Sequence, residues 1–85
     1  MQVIATETFV HFYKKLPSDI QDRTDKALRH LETNLFYPSL NRKKMAGYED
    51  IYEIRISKNY RLTYKKIDDA AYLRKIGTHD LLNNP

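Results

Sequence analysis

Residues 51 to 57, Ile-Tyr-Glu-Ile-Arg-Ile-Ser, and 60 to 64, Tyr-Arg-Leu-Thr-Tyr, alternate apolar and polar side chains with a period of two. That period belongs to a half-buried β-strand and not to a helix. Tyr52, Ile54 and Ile56 share one face, and Glu53, Arg55 and Ser57 the other; Tyr60, Leu62 and Tyr64 alternate against Arg61, Thr63 and Lys65. Lys58-Asn59 suits the turn between them, because Asn tolerates turn geometry. Paired as a hairpin, the strands bring Glu53, Arg55 and Arg61 onto one surface. Their apolar face must be covered by something else in the chain.

The cover is found upstream. Residues 2 to 5 are short and apolar and predict a first strand. Phe9, Phe12, Tyr13 and Leu16 then repeat at i, i+3, i+4 and i+7, a helical stripe that Pro17 breaks. Ser18 followed by Gln21 fits a capping box, with the Ser oxygen accepting from the N3 amide and the Gln reaching back. Ile20, Ala27, Leu28, Leu31 and Leu35 give a second stripe that ends before Tyr37-Pro38. The turn between the stripes is short, so an antiparallel helical hairpin is expected.

Residues 39 to 50 read as a polar connection. Asp68-Asp69 marks a second turn, and a third strand is expected over about 70 to 77. There Tyr72, Leu73 and Ile76 do not fall on one face, which points to a central strand covered on both sides. The tail, Leu81-Leu82-Asn83-Asn84-Pro85, is expected either to dock through its leucines or to fray. The expected class is α+β: an N-terminal strand, then a helical hairpin packed on a mainly antiparallel sheet, in the order β-α-α-β-β-β. The far face of the sheet is expected to be open and to carry the polar residues. No repeat or linker divides the chain, and residues 1–85 are expected to form a single domain.

Charge and composition narrow the function. Residues 1–38 hold five Lys/Arg and five Asp/Glu, whereas residues 39–85 hold ten and six. The whole net charge of +4 therefore lies in the part that reads as sheet. A basic sheet face suits a polyanion such as nucleic acid, or an acidic protein; a solvated surface that keeps the domain soluble is the plain alternative. There is no Cys, which excludes disulfides and thiolate metal sites. Three widely spaced His give no support for a metal site, and no cofactor is expected. No apolar run approaches the ~18 residues of a membrane span, and the N-terminus has no basic segment leading an apolar one. A cytoplasmic protein without a membrane partner is expected.

The ordered pieces Phe9…Phe12…Leu16-Pro17, Pro38-Ser39-Leu40, Lys43-Lys44, Gly47, Tyr52-Glu53-Ile54-Arg55, Asn59-Tyr60-Arg61-Leu62 and Ile76-Gly77-Thr78-His79-Asp80 resemble the RelE/ParE superfamily of bacterial toxins. The resemblance covers most of the chain and implies the RelE-like fold. It also implies a toxin of a type II toxin–antitoxin system, held inactive by a cognate antitoxin. RelE-like members are metal-independent ribonucleases that cut mRNA, many of them in the ribosomal A site; ParE-like members share the fold and inhibit DNA gyrase. Carried onto this chain, Arg61 matches the arginine that contacts the scissile phosphate. Arg55 matches a basic residue of the preceding strand, Glu53 stands where some members have Lys, and His79 stands where members carry a catalytic Arg or His. The tail has no aromatic where many active members have Tyr or Phe.

Metal-free RNA cleavage needs a base for the 2′-hydroxyl, an acid for the leaving 5′-oxygen and cations for the charged phosphorane. His79 suits either proton role. Arg55 and Arg61 carry permanent charge on planar forks that match phosphate oxygens. Glu53 could be a base, or could pair with either arginine. Arg42, Lys43, Lys44 and Lys65 are candidate RNA-phosphate contacts, with mRNA and the ribosome as the partners implied. Tyr48 or Tyr60 could stack a base. The expected function is a ribosome-associated mRNA endonuclease. The alternatives are a non-catalytic ParE-like toxin acting on a protein such as gyrase, or a degenerate toxin.

Overall fold

The computed structural model describes residues 1–34 and 40–85, apart from the side chains of Leu81 and Leu82. Leu35, Tyr37, Pro38 and Ser39, which entered the sequence reading, lie outside the described residues. The elements run β1 (Gln2–Ala5), α1 (Glu7–Tyr13), α2 (Ser18–Thr33), β2 (Lys43–Lys44), β3 (Ile51–Arg55), β4 (Arg61–Ile67) and β5 (Ala70–Gly77), followed by a 3-10 helix at His79–Asn83. The strands form one sheet in the order β1-β5-β4-β3-β2. β1 runs parallel to β5 and the other pairings are antiparallel. This is the expected α+β fold, with the helical pair following β1 and preceding the antiparallel strands.

Thr6 starts α1. Its hydroxyl accepts from the Phe9 amide at 3.2 Å and donates to the Leu73 carbonyl at 2.6 Å. One side chain thus caps the helix and ties it to β5. The capping box expected at Ser18 does not form. Pro17 takes the cap position of α2, and its carbonyl accepts from the Ile20 and Gln21 amides. Gln21 Nε2 donates instead to the Tyr13 carbonyl at 3.0 Å. It therefore holds the end of α1 to the start of α2 and has no reach left for its own helix terminus.

Phe9 of α1 and Ile20 and Leu31 of α2 meet Ile54, Leu62, Tyr64, Ala71, Leu73 and Ile76 of the sheet in one buried cluster. Ile54 and Leu62 are direct cross-strand partners, and Tyr52 and Tyr64 are the next pair on that face, with stacked ring centroids 5.4 Å apart. Full burial of each aliphatic side chain contributes about 1.5–3 kcal/mol. Burial raises the Tyr64 phenol above its ordinary range, and the nearby Arg42 charge opposes the shift.

A bulge explains the irregular pattern of the third strand. The β4–β5 register shifts between Thr63 and Tyr64: Leu62 pairs with Ile76, but Tyr64 pairs with Leu73. Two residues on β5 stand where a regular ladder has one, so residues three apart return to the same face. Leu73 and Ile76 are both buried in the core as a result.

The sequence reading needs correction in two further places. The polar connection contains the edge strand β2, in which Lys43 pairs with Glu53 and Lys44 with Tyr52. The far face of the sheet is not open throughout, because Glu53 and Thr63 are buried. The tail returns to this face: Arg74 Nε donates to the Pro85 carbonyl at 3.0 Å and Lys75 Nζ to the Asn84 carbonyl at 2.7 Å. Lys75 is the cross-strand partner of Thr63 and shares its face. It is held through its backbone; the docking expected of Leu81 and Leu82 lies outside the described side chains.

Candidate functional site

The register lays out the polar face in rows. Lys43, Glu53, Thr63 and Lys75 are successive partners across β2, β3, β4 and β5. Arg55, Arg61 and Gly77 form the next row, and Ile51, Lys65 and Tyr72 lie on the other side. Partners in such rows share a face. Glu53 therefore sits among Lys43, Arg61 and Lys75, a buried carboxylate within a basic surface.

Arg61 is fixed from several directions. Its Nε lies 3.6 Å from Glu53 Oε1, an ion pair too long for a hydrogen bond. Its Nη1 donates to the carbonyls of Ser57 at 2.9 Å, Tyr60 at 3.2 Å and Lys58 at 3.4 Å. These carbonyls belong to the hairpin turn, where the Ile56 and Ser57 amides both donate to the Tyr60 carbonyl. The turn thus supplies acceptors for one edge of the guanidinium. Nη2, on the other edge, makes no hydrogen bond among the described residues.

Beside the turn is a cavity of about 410 Å³ lined by Lys58, Asn59, Tyr60, Arg61, Thr78 and His79. β5 brings His79 there by ending at Gly77, the partner of Arg61. His79 is exposed and begins the 3-10 helix. The cavity gathers a fixed guanidinium, an imidazole, a hydroxyl, an ammonium and a phenol ring. Tyr60 lines it beside Arg61 and also packs against the hydrophobic core. The sequence reads Lys58 as a turn residue and Thr78 as part of the Ile76–Asp80 segment, neither as a site residue; their only signal for the site is proximity to His79 and Arg61 along the chain.

Arg55 does not join this group. Although it is the cross-strand partner of Arg61, it lines another cavity, with Arg23, Lys26 and His30. The register agrees with Glu53, Arg55 and Arg61 on one surface, and Glu53 and Arg61 form an ion pair there; Arg55 lines a cavity that neither of the other two lines. Like charges directly opposite on a sheet repel, and Arg61 already holds the carboxylate and the turn. Of the candidate phosphate contacts, Lys43, Lys44 and Lys65 are exposed. Arg42 lies on the tyrosine side, its guanidinium carbon 5.1 Å from the centre of the Tyr52 ring. Its neighbour Lys43 lies on the Glu53 side, so these two cations face opposite ways.

No helix among the described residues is long and apolar enough to cross a membrane. A family model described as a ParE-like toxin domain matches residues 18–84. Solved structures with a similar fold include the RelB-RelE antitoxin–toxin complex from Methanococcus jannaschii, at TM-score 0.80 and 24% identity, with 95% of each chain covered. The intact RelBE toxin–antitoxin complex of E. coli gives 0.70 at 27% identity, covering 91% of this chain and 94% of that one. The YoeB/ParE toxin from Agrobacterium tumefaciens gives 0.76 at 13% identity, covering 93% and 99%. No curated protein matches the chain significantly.

Proposed function

The chain belongs to the RelE/ParE superfamily of type II toxin–antitoxin toxins, and from that membership we propose that it is a metal-independent endoribonuclease that cuts mRNA. The observation that carries the reading is the cavity shared by Arg61 and His79. The Arg61 fork, fixed through Nη1 and Nε, presents Nη2 to the scissile phosphate and stabilises the phosphorane. Such a preset cation costs no reorganisation during the reaction. His79 exchanges a proton with the 2′-hydroxyl or the leaving 5′-oxygen, and its position on an exposed helix start leaves it access to either. Glu53 is buried against Arg61, which suits a positioning partner better than a free base. Tyr60 gives a base a ring to stack on. Lys43, Lys44 and Lys65 hold flanking phosphates, and Arg42, turned over Tyr52, holds the sheet edge.

The partners on this reading are mRNA, the ribosome and a cognate antitoxin, and the compartment is the cytoplasm. RelE is bound by RelB in the complexes cited above, and an antitoxin here would cover the basic face or displace the tail. The test is induced expression in a bacterial host of wild type beside His79→Ala, with cleavage mapped by primer extension. New ends in translated messages, absent with the variant, support the reading; undiminished cleavage by the variant removes His79 from the chemistry.

The ParE-like family match supports a second reading, a toxin that binds a protein target such as DNA gyrase and cleaves nothing. Growth arrest without RNA ends, together with inhibition of supercoiling by purified protein, would select it.

A further inference from the structure

A second concentration of positive charge lies away from the Arg61–His79 cavity. Arg23, Lys26, Ala27 and His30 occupy one face of α2, and with Leu40, Arg55 and Ile56 they line a cavity of about 430 Å³. Arg23 and Lys26 are three residues apart, and Ala27 and His30 follow at four and seven from Arg23, so all four lie along one helical stripe. Arg55 is brought to the same cavity from the end of β3.

Of the acids of α2, none lines this cavity. Asp25 accepts from the Tyr13 hydroxyl at 2.7 Å on the side facing α1. Asp22 acts on the same phenol. No acidic side chain lines the cavity. Among the described residues, no ion pair reaches Arg23, Lys26 or Arg55. Three exposed cations therefore border one space whose lining holds no acidic residue. Such a border favours an entering anion, and two arginine forks match the oxygens of a phosphate group. Ala27, Leu40 and Ile56 add an apolar wall.

We propose that this cavity is a binding site for the phosphate monoester of a nucleotide, with the phosphate among Arg23, Lys26 and Arg55 and the base against Ala27, Leu40 and Ile56. A monoester, which carries about −1.5 to −2 at neutral pH, answers three cations better than a single carboxylate or an internal phosphodiester does. The volume admits a base as well as a phosphate. The ligand is either a free mononucleotide or the phosphorylated end of an RNA chain. The proposal goes beyond the cleavage reading, because a chain that cut no RNA would keep the site.

The test uses the full chain carrying His79→Ala, so that RNA probes stay intact. Adenosine, adenosine 5′-monophosphate and a short oligoribonucleotide with a 5′-phosphate or a 5′-hydroxyl are titrated while amide resonances are followed by NMR. The phosphorylated probes are expected to bind at least ten times more tightly than their unphosphorylated forms, and to shift resonances at 26–30 and 55–56. Arg23→Gln/Lys26→Gln, and separately Arg55→Gln, are expected to abolish that preference while thermal unfolding stays unchanged. Saturation by the mononucleotide identifies a free nucleotide as the ligand; saturation by the phosphorylated oligomer alone identifies an RNA end. The proposal is overturned if phosphate makes no difference, if the shifts map only to 58–61 and 78–79, or if a Leu- and Glu-rich peptide binds there and the nucleotides do not.

Discussion

Arg61→Ala should destabilise the fold as well as remove a phosphate contact, and the size of the effect follows from its partners. Nη1 serves three turn carbonyls, at 2.9, 3.2 and 3.4 Å. The 2.9 Å contact is the strong one, and a hydrogen bond from a charged donor contributes about 1.5–3 kcal/mol. Nε faces Glu53, whose side chain is only 8% exposed against 18% for Arg61. Truncation leaves that carboxylate buried without its cation, which costs several kcal/mol in a closed site and less where, as here, water can enter beside the shortened side chain. The two effects together give about 3 kcal/mol, and for a chain of this size that lowers Tm by roughly 15 °C. The diagnostic variant is Arg61→Ala/Glu53→Gln, which removes the stranded charge and should recover about 1 kcal/mol over Arg61→Ala. Urea unfolding followed by circular dichroism measures both. The reasoning is refuted if Arg61→Ala lies within 0.5 kcal/mol of wild type, or if Glu53→Gln gives no recovery in the Arg61→Ala background. The same result bears on function, since loss of cleavage in Arg61→Ala cannot be assigned to chemistry until the folded fraction is known.

His79 is exposed, so His79→Ala should leave unfolding within about 0.5 kcal/mol of wild type while lowering single-turnover cleavage about 10²–10⁴-fold; equal loss of both would make it structural. Leu62→Ala, at a fully buried position between Ile54 and Ile76, should cost about 3 kcal/mol in urea unfolding. Tyr13 donates to Asp25, and that bond with its charge holds the phenol up at about 12. A folded-state pKa above the unfolded value of 10.0 means the stabilisation is fully present below pH 10 and lost as pH rises towards 12. Tyr13→Phe should therefore be less stable by about 1 kcal/mol at pH 8, with the gap closing between pH 10 and 12; a gap that does not change with pH would refute the assignment. Arg42→Ala should cost about 0.5–1 kcal/mol through the lost cation–π contact with Tyr52, and a thermal melt matching wild type would show that the contact contributes nothing.

Two-residue and 3.6-residue periods determined most of this fold. Ile54, Leu62 and Tyr64 can be buried together only if β3 and β4 pair, and the stripes through Phe9, Ile20 and Leu31 can be covered only by that face. These are local patterns, and their physics is visible in a single chain. The basic excess after residue 38 and the order of the Tyr52–Arg55, Asn59–Leu62 and Ile76–Asp80 segments likewise carried the family and the Arg61–His79 pairing. What the sequence could not decide was whatever depends on register or on competition between partners. The bulge that returns Leu73 and Ile76 to one face exists only in the β4–β5 ladder. Gln21 had two possible carbonyl or amide partners, and the nearness of Tyr13 decided between them. Pairing Arg55 opposite Arg61 was legible; that Arg61 would take Glu53 and the turn while Arg55 lined the α2 cavity was not. Nor was the return of the tail onto Arg74 and Lys75, because backbone carbonyls carry no sequence signature. Alternation tells each side chain which face it occupies; only the assembled sheet, helices and tail determine which charges on a face meet.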